Sequence, residues 1–177
     1  GIPRAIFVNK MDRERADFER TQKQLIAAFG KQVAPVELPI GAEADFRGVA
    51  DLLHRKADMY SGGGPVAEEG DWPDDLAAMA APAREQLMEA VAETDDTLLE
   101  KYLEEGELSD EEIVHGVKKG FAAGVIAPVL VGAAAIPIGV DRVMQLISEE
   151  FPSPLDREPL TVTTKSGEEK QRECDPN

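Results

Sequence analysis

Residues 9–12 read Asn-Lys-Met-Asp and follow directly on the apolar run Ala5-Ile6-Phe7-Val8. Asn-Lys-x-Asp is a set of side chains able to recognise a guanine base. The carboxylate of Asp12 can accept two parallel hydrogen bonds, one from guanine N1–H and one from the exocyclic amine. Adenine lacks that donor pair, so one Asp can set the choice of base. The stem of Lys10 can cover the purine face. Asn9 can meet the N7 edge or tie neighbouring loops together. The same four residues also have a plainer reading, as a helix-entry loop with Asp12 near a cap.

A second apolar run, Ala127-Pro128-Val129-Leu130-Val131, leads into Gly132-Ala133-Ala134-Ala135. A base needs a backbone N–H aimed at its O6, and small side chains let the chain approach closely. Ala133, Ala134 and Ala135 can supply such a loop; they equally suit a tight turn. A third set of candidates is acidic. Glu85, Glu89 and Glu93 fall at i, i+4 and i+8, one helical stripe that a basic partner can read, or an ordinary solvated face.

The elements that must position these residues follow from periodicity. The apolar runs at 5–8 and 127–131 read as buried parallel strands. Phe18, Leu25, Ile26 and Phe29 recur at helical spacing ahead of Gly30, which predicts a helix over 16–29. A second strand is expected over 33–40, broken by Pro35 and Pro39, and an extended stretch over 49–60. Strand, helix, strand in that order implies a right-handed crossover on a mostly parallel sheet. The glycine-, proline- and acid-rich stretch 61–75 reads as an exposed loop. A helix then runs over 74–92, with Leu76, Met79, Ala83, Leu87, Ala90 and Val91 on one face. A shorter helix covers 95–104, carrying Leu98, Leu99, Tyr102 and Leu103. Ser109 and Glu112 form a capping box that opens a helix to about 123. The last helix spans 139–151, with Val140, Val143, Met144, Ile147 and Phe151 on one side, and Pro152 stops it.

Charge narrows the classes of partner. The chain carries 35 acidic and 19 basic residues, a net charge of −16, so autonomous nucleic-acid binding is disfavoured and a basic protein partner is favoured. The same acid can serve solubility alone. No apolar run approaches the roughly 20 residues that span a bilayer, so no membrane association is expected. The single Cys174 cannot form an internal disulfide, which fits a cytoplasmic location. One cysteine and two distant histidines argue against a metal site.

Four stretches in the same order resemble bacterial translation elongation factor G: GIPRAIFVNKMDR, LPIGAEADFRGVADLL, LLEKYLEEGELSDEEI and PVLVGAAAIPIGVDRVMQLISEEFPSP. The similarity runs from about Gly1 to Pro154. It implies that Asn9, Lys10 and Asp12 are the guanine-specificity motif, with Ala133, Ala134 and Ala135 as the second base-contacting loop. It implies an α/β fold: a partial P-loop GTPase, three-layered with a mostly parallel sheet, carrying an inserted α+β subdomain. Residues 1–35 and 127–154 would be the C-terminal half of the GTPase domain. Residues 36–126 would be the inserted acidic subdomain, and 155–177 the linker and start of a following β-barrel domain.

In the family, the phosphate-binding loop, the first switch and a D-x-x-G segment precede this strand. Here Gly62-Gly63-Gly64-Pro65 lacks the Lys and hydroxyl that phosphate and magnesium require. Asp45-Phe46-Arg47-Gly48 matches D-x-x-G but lies on the wrong side of the base motif. The chain thus reads as a piece of a longer GTPase that promotes ribosomal translocation. It is expected to hold no catalytic residue, to be inactive alone, and to meet GTP or GDP weakly, with Mg2+ reaching it only through the preceding half. The resemblance further implies a ribosomal partner, contact with the ribosomal stalk protein through Glu85, Glu89 and Glu93, and a monomer. The family has Ser-Ala where this chain has Ala133-Ala134. That departure leaves open an acidic interaction module of an elongation-factor-G-like paralogue with weakened nucleotide chemistry.

Overall fold

The computed structural model describes residues 2–61, 65–73, 76–153, 155 and 159–173. The glycines at 62–64, the expected helix start at Asp74, Pro154 and the tail from Cys174 lie outside the described residues. In chain order the elements are β1 (Ile6–Val8), α1 (Phe18–Phe29), β2 (Val33–Pro35), β3 (Glu37–Ile40), β4 (Gly48–Asp51), β5 (Lys56–Met59) and β6 (Glu68–Asp71). They continue with α2 (Ala77–Ala92), α3 (Asp96–Glu105), α4 (Asp110–Ala123), β7 (Ala127–Val131), α5 (Val140–Glu149), β8 (Leu160–Thr163) and β9 (Glu169–Arg172).

The fold is mixed α/β. β7 lies between β1 and β2, parallel to both, with Phe7 opposite Leu130 and Ala34 opposite Pro128. β3, β4, β5 and β6 make an antiparallel sheet in that order, and β8 and β9 form a separate hairpin. One continuous core joins the first two sheets: Val33, Val129 and Val131 share it with Val49, Leu52, Leu87 and Ile113. Burial of such side chains stabilises by about 1.5–3 kcal/mol each.

The expected strand over 33–40 is two strands in two sheets. The N–H of Val36 still bonds the carbonyl of Val129 at 3.1 Å, and one residue later the chain pairs antiparallel with β4. Pro39 is tolerated because β3 is an edge strand, where a missing N–H costs little. The extended stretch over 49–60 is a hairpin of β4 and β5. Its turn is closed by Asp51, whose Oδ1 accepts from the N–H groups of Leu53 and His54. The expected loop at 61–75 contains β6, an edge strand whose Glu69 and Asp71 sit near Lys56 on β5. Its charge suits an edge, and Trp72 Nε1 donates to the Lys56 carbonyl at 3.0 Å beyond it.

Helix faces differ in detail from the periodicity. Met79 is 50% exposed, and Ala80 takes the buried place on α2. Phe29 and Leu103 face outward too. α5 shows the largest departure: Met144 is 62% exposed, and Ile147 and Phe151 are also exposed. An apolar cavity of about 330 Å3 runs between this face and β1. The capping box at Ser109 and Glu112 forms as expected.

A buried ionic cluster holds α5 to the antiparallel sheet. Arg142 Nε lies 3.2 Å from Glu37 Oε1 and 3.3 Å from Asp58 Oδ2, while Nη2 meets Asp51 Oδ2 at 2.5 Å. Asp51 Oδ2 also meets His54 Nδ1 at 2.8 Å. Beside it the Tyr60 hydroxyl donates to Asp141 Oδ1 at 2.5 Å. Glu37, 1% exposed, reaches in the other direction as well, its Oε2 accepting the N–H of Val131 at 3.1 Å. Burial alone would lower the pKa of Arg142, but Asp51, Glu37 and Asp58 outweigh it and keep the guanidinium charged.

Burial pushes the Glu37 carboxyl up from 4.5 to about 7, against the opposing pull of Arg142. A carboxyl that holds its proton more tightly when folded contributes stability fully present below 4.5 and lost as pH rises through about 7. Chemical denaturation across that window should therefore show unfolding free energy falling by on the order of 3 kcal/mol more in wild type than in Glu37→Gln. Parallel curves for the two proteins would contradict the assignment.

Candidate functional site

Two loops leave the same end of the parallel sheet, one after β1 and one after β7. Their strands are adjacent, and the loops are stitched together by backbone bonds. The N–H of Gly132 donates to the carbonyl of Val8 at 3.0 Å, and the N–H of Met11 donates to the carbonyl of Gly132 at 3.1 Å. Gly132 is required at this crossing. A Cβ there would lie 2.5 Å from the Ile138 carbonyl oxygen and 2.6 Å from the Phe7 ring. The Asn9–Asp12 and Ala133–Ala135 segments, 125 residues apart in sequence at their closest bond, are thereby brought side by side.

Asn9 forms that bond. Its Oδ1 accepts the N–H of Ala134 at 3.0 Å and the N–H of Lys10 at 2.8 Å. Of the two roles its residue type allows, it performs the tying of loops. The Ala134 N–H, a natural partner for a base oxygen, is engaged by Asn9 here. Lys10 sits at φ 65°, a left-handed backbone that costs a non-glycine residue about 1 kcal/mol or more. Ala133 is buried and bonds the Ile138 carbonyl at 2.9 Å, whereas Ala134 and Ala135 are exposed.

Asp12 does not cap α1. That role belongs to Asp17, whose Oδ1 accepts the N–H of Arg20 at 2.8 Å. Asp12 has a side chain 16% exposed, with Oδ2 lying 3.4 Å from Arg13 Nε. Its Oδ1 is buried and meets no hydrogen-bond donor among the described residues. A buried carboxylate oxygen without a donor costs about 1–3 kcal/mol or more.

Glu43 supports the loop in a way that sequence spacing did not reveal. Its N–H bonds the carbonyl of Met11 at 3.1 Å, and its Oε1 accepts the N–H of Arg15 at 2.8 Å. It lies 28 residues from Arg15, beyond any local pattern. The Asp45–Gly48 match to D-x-x-G belongs to a short 3-10 turn and the start of β4.

The acidic candidates are elsewhere, Glu85 and Glu89 on α2 and Glu93 at its C-terminal cap. Glu85 and Glu93 are exposed, and Glu89 lies 3.7 Å from Lys31 Nζ. Glu89 and Glu85 also help raise the pKa of the Tyr102 phenol on α3, after burial, which has the largest effect. Among the described residues, no three His, Cys, Asp or Glu side chains gather in a metal-binding arrangement. Also among the described residues, no helix is long and apolar enough to cross a membrane.

The arrangement defines a mixed α/β protein with paired loops at one end of a parallel sheet. No protein-family model matches the chain. It is similar to a crystal structure of a protein from Thermus thermophilus, at 30% sequence identity and a TM-score of 0.74. The similarity covers 90% of this chain and 24% of that one, so the chain spans about a quarter of that protein's length.

Replacing Asn9 with Ala should uncouple the two loops. Amide hydrogen exchange at Ala134 is expected to speed by about tenfold, with a global destabilisation of only about 1 kcal/mol because the bond is exposed. Unchanged exchange at Ala134 would show that Asn9 does not hold the loop.

Proposed function

We propose that this chain is the guanine-recognising part of a translational GTPase of the elongation factor G type. The observation that carries the reading is the Asp12 carboxylate, 16% exposed and with Oδ1 lacking a donor, beside two loops that share a backbone seam. Guanine offers the complementary edge, with N1–H and the exocyclic amine donating in parallel to one carboxylate. The Lys10 stem would cover the purine. The Ala134 N–H, or that of Ala135 beside it, would meet the base oxygen, the former after release from Asn9.

The base is the part of the nucleotide for which this chain carries fitting residues. Phosphate and Mg2+ contacts, and therefore GTP hydrolysis and ribosomal translocation, would belong to a longer protein. The half-exposed β1 edge and the uncovered apolar face of α5 support that view, since each suits packing against further chain.

The test is base selectivity in this chain itself. Guanosine should shift the backbone amide resonances of Met11, Asp12 and Ala134 in a saturable titration, while adenosine leaves them in place. Asp12→Asn should weaken guanosine by at least about tenfold and favour xanthosine, whose second carbonyl accepts from the new amide donor. Equal response to guanosine and adenosine would remove the reading.

A second role is supported by the exposure of Glu85 and Glu93 on one stripe of a strongly acidic chain. We infer docking of a basic partner there, the ribosomal stalk protein in the elongation-factor reading. Reversing Glu85 and Glu93 together to Lys should weaken that association by about tenfold and flatten its salt dependence. Unaltered binding by calorimetry at low salt would exclude this face.

A further inference from the structure

Left-handed backbone is concentrated at one junction of this fold. Among the described residues, four non-glycine residues adopt it: Lys10 at φ 65°, Arg15 at 67°, Glu43 at 53° and Arg55 at 56°. Three of the four meet. Lys10 and Arg15 flank Asp12 in the first loop, and Glu43 bonds that loop from the turn between β3 and β4. Such conformations persist only where neighbouring contacts over-determine them, and they gather at ligand clamps and switch regions.

Stability alone does not account for Glu43. It opens a short 3-10 turn, Glu43–Asp45, that buries none of its residues, and its own side chain is exposed. An exposed hydrogen bond adds little net stability, and water could satisfy the Arg15 N–H equally well. What a carboxylate on a second sheet adds is a fixed position. The turn is itself well anchored: the N–H of Arg47 bonds the Ile40 carbonyl at 3.0 Å, and the N–H of Tyr60 bonds the Arg47 carbonyl at 2.9 Å.

The contacts of Glu43 bracket Asp12. Met11 is held on both sides, its N–H on the Gly132 carbonyl and its carbonyl on the Glu43 N–H, each at 3.1 Å. Beyond Asp12, the Arg15 N–H is held by Glu43 Oε1 at 2.8 Å, and the Arg15 carbonyl by Arg20 Nη2 at 3.0 Å. Between these brackets the Asp12 carboxylate meets Arg13 alone among the described residues, with Nε 3.4 Å from Oδ2. Its place is set by the backbone on either side rather than by bonds of its own.

We propose that Glu43 is a positioning residue for base recognition, through which the antiparallel sheet fixes the Asp12 carboxylate. The inference rests on the guanine reading and extends it to a residue that does not touch the base. Because binding and positioning are linked reciprocally, a bound guanine is also felt in the β3–β4 turn.

The test compares Glu43→Ala, which removes the acceptor, with Glu43→Gln, which keeps a carbonyl oxygen for the Arg15 N–H. Guanosine should bind Glu43→Ala about tenfold more weakly, and Glu43→Gln within about twofold of wild type. Tm should stay within about 2 °C in both, which a merely structural role would not allow. In wild type, guanosine should also shift the Glu43 and Asp45 amide resonances. Full affinity in Glu43→Ala, no recovery in Glu43→Gln, or unmoved Glu43 and Asp45 amides on guanosine binding would each overturn the proposal; the last needs no variant to fold. Wild-type protein without a preference for guanosine over adenosine would remove the guanine reading instead. The positioning role is then decided on ligand-free protein by the Asp12 carboxyl carbon resonance. A shift in Glu43→Ala that Glu43→Gln reverses upholds it, and an unmoved resonance overturns it.

Discussion

The two carboxylate oxygens of Glu37 join the halves of this structure. One accepts the N–H of Val131 on the parallel sheet, and the other meets Arg142 on α5. Arg142 in turn reaches Asp51 and Asp58 on the antiparallel sheet. A buried charge is tolerated only where its partners are in place, so this cluster specifies how the sheets and α5 sit together more than it adds net stability. Val131 is also the residue before Gly132, where the second loop begins. The path from the ionic cluster to the loop is one peptide long.

From that anchor the paired loops follow. Gly132 allows the crossing because nothing larger than hydrogen fits against the Ile138 carbonyl and the Phe7 ring. Asn9 then bridges to Ala134, and Glu43 holds the other side of the first loop. The left-handed backbone at Lys10 is sustained by these contacts. They leave Asp12 in place with one oxygen unsatisfied. The contacts that hold the two loops together are thus backbone bonds of the seam and the side chains of Asn9 and Glu43, not the Asp12 carboxylate.

Among the described residues Asp12, Gln22 and Glu150 carry buried polar atoms without a hydrogen-bond partner, Glu150 Oε2 lying 3.4 Å from Lys118 Nζ, and the first two lie in different surroundings. Asp12 belongs to a loop seam with backbone N–H groups nearby, and Gln22 borders a half-open groove between two helices. The apolar face of α5 differs from both. It is exposed apolar surface, which suits packing.

Periodicity and capping chemistry were enough to read β1, α1, α4, β7 and the position of α5 from the sequence, because each is specified by contacts within a few residues. The Asn-Lys-x-Asp cluster was legible for the same reason: strand and loop are contiguous. The split of 33–40 between two sheets was not legible, since Pro35 and Pro39 signal interruption but not which neighbour each strand takes. β6 escaped because an edge strand is held by backbone bonds to β5 and needs no apolar alternation. The Asp51 turn carries no glycine to mark it. The roles of Glu37 and Glu43 depend on partners assembled from distant segments. Local sequence therefore determined which elements form and which side chains had the right chemistry. Only tertiary packing decided which of those side chains meet and which buried polar atoms remain unpaired, because hydrogen bonding and burial are set by neighbours far apart along the chain.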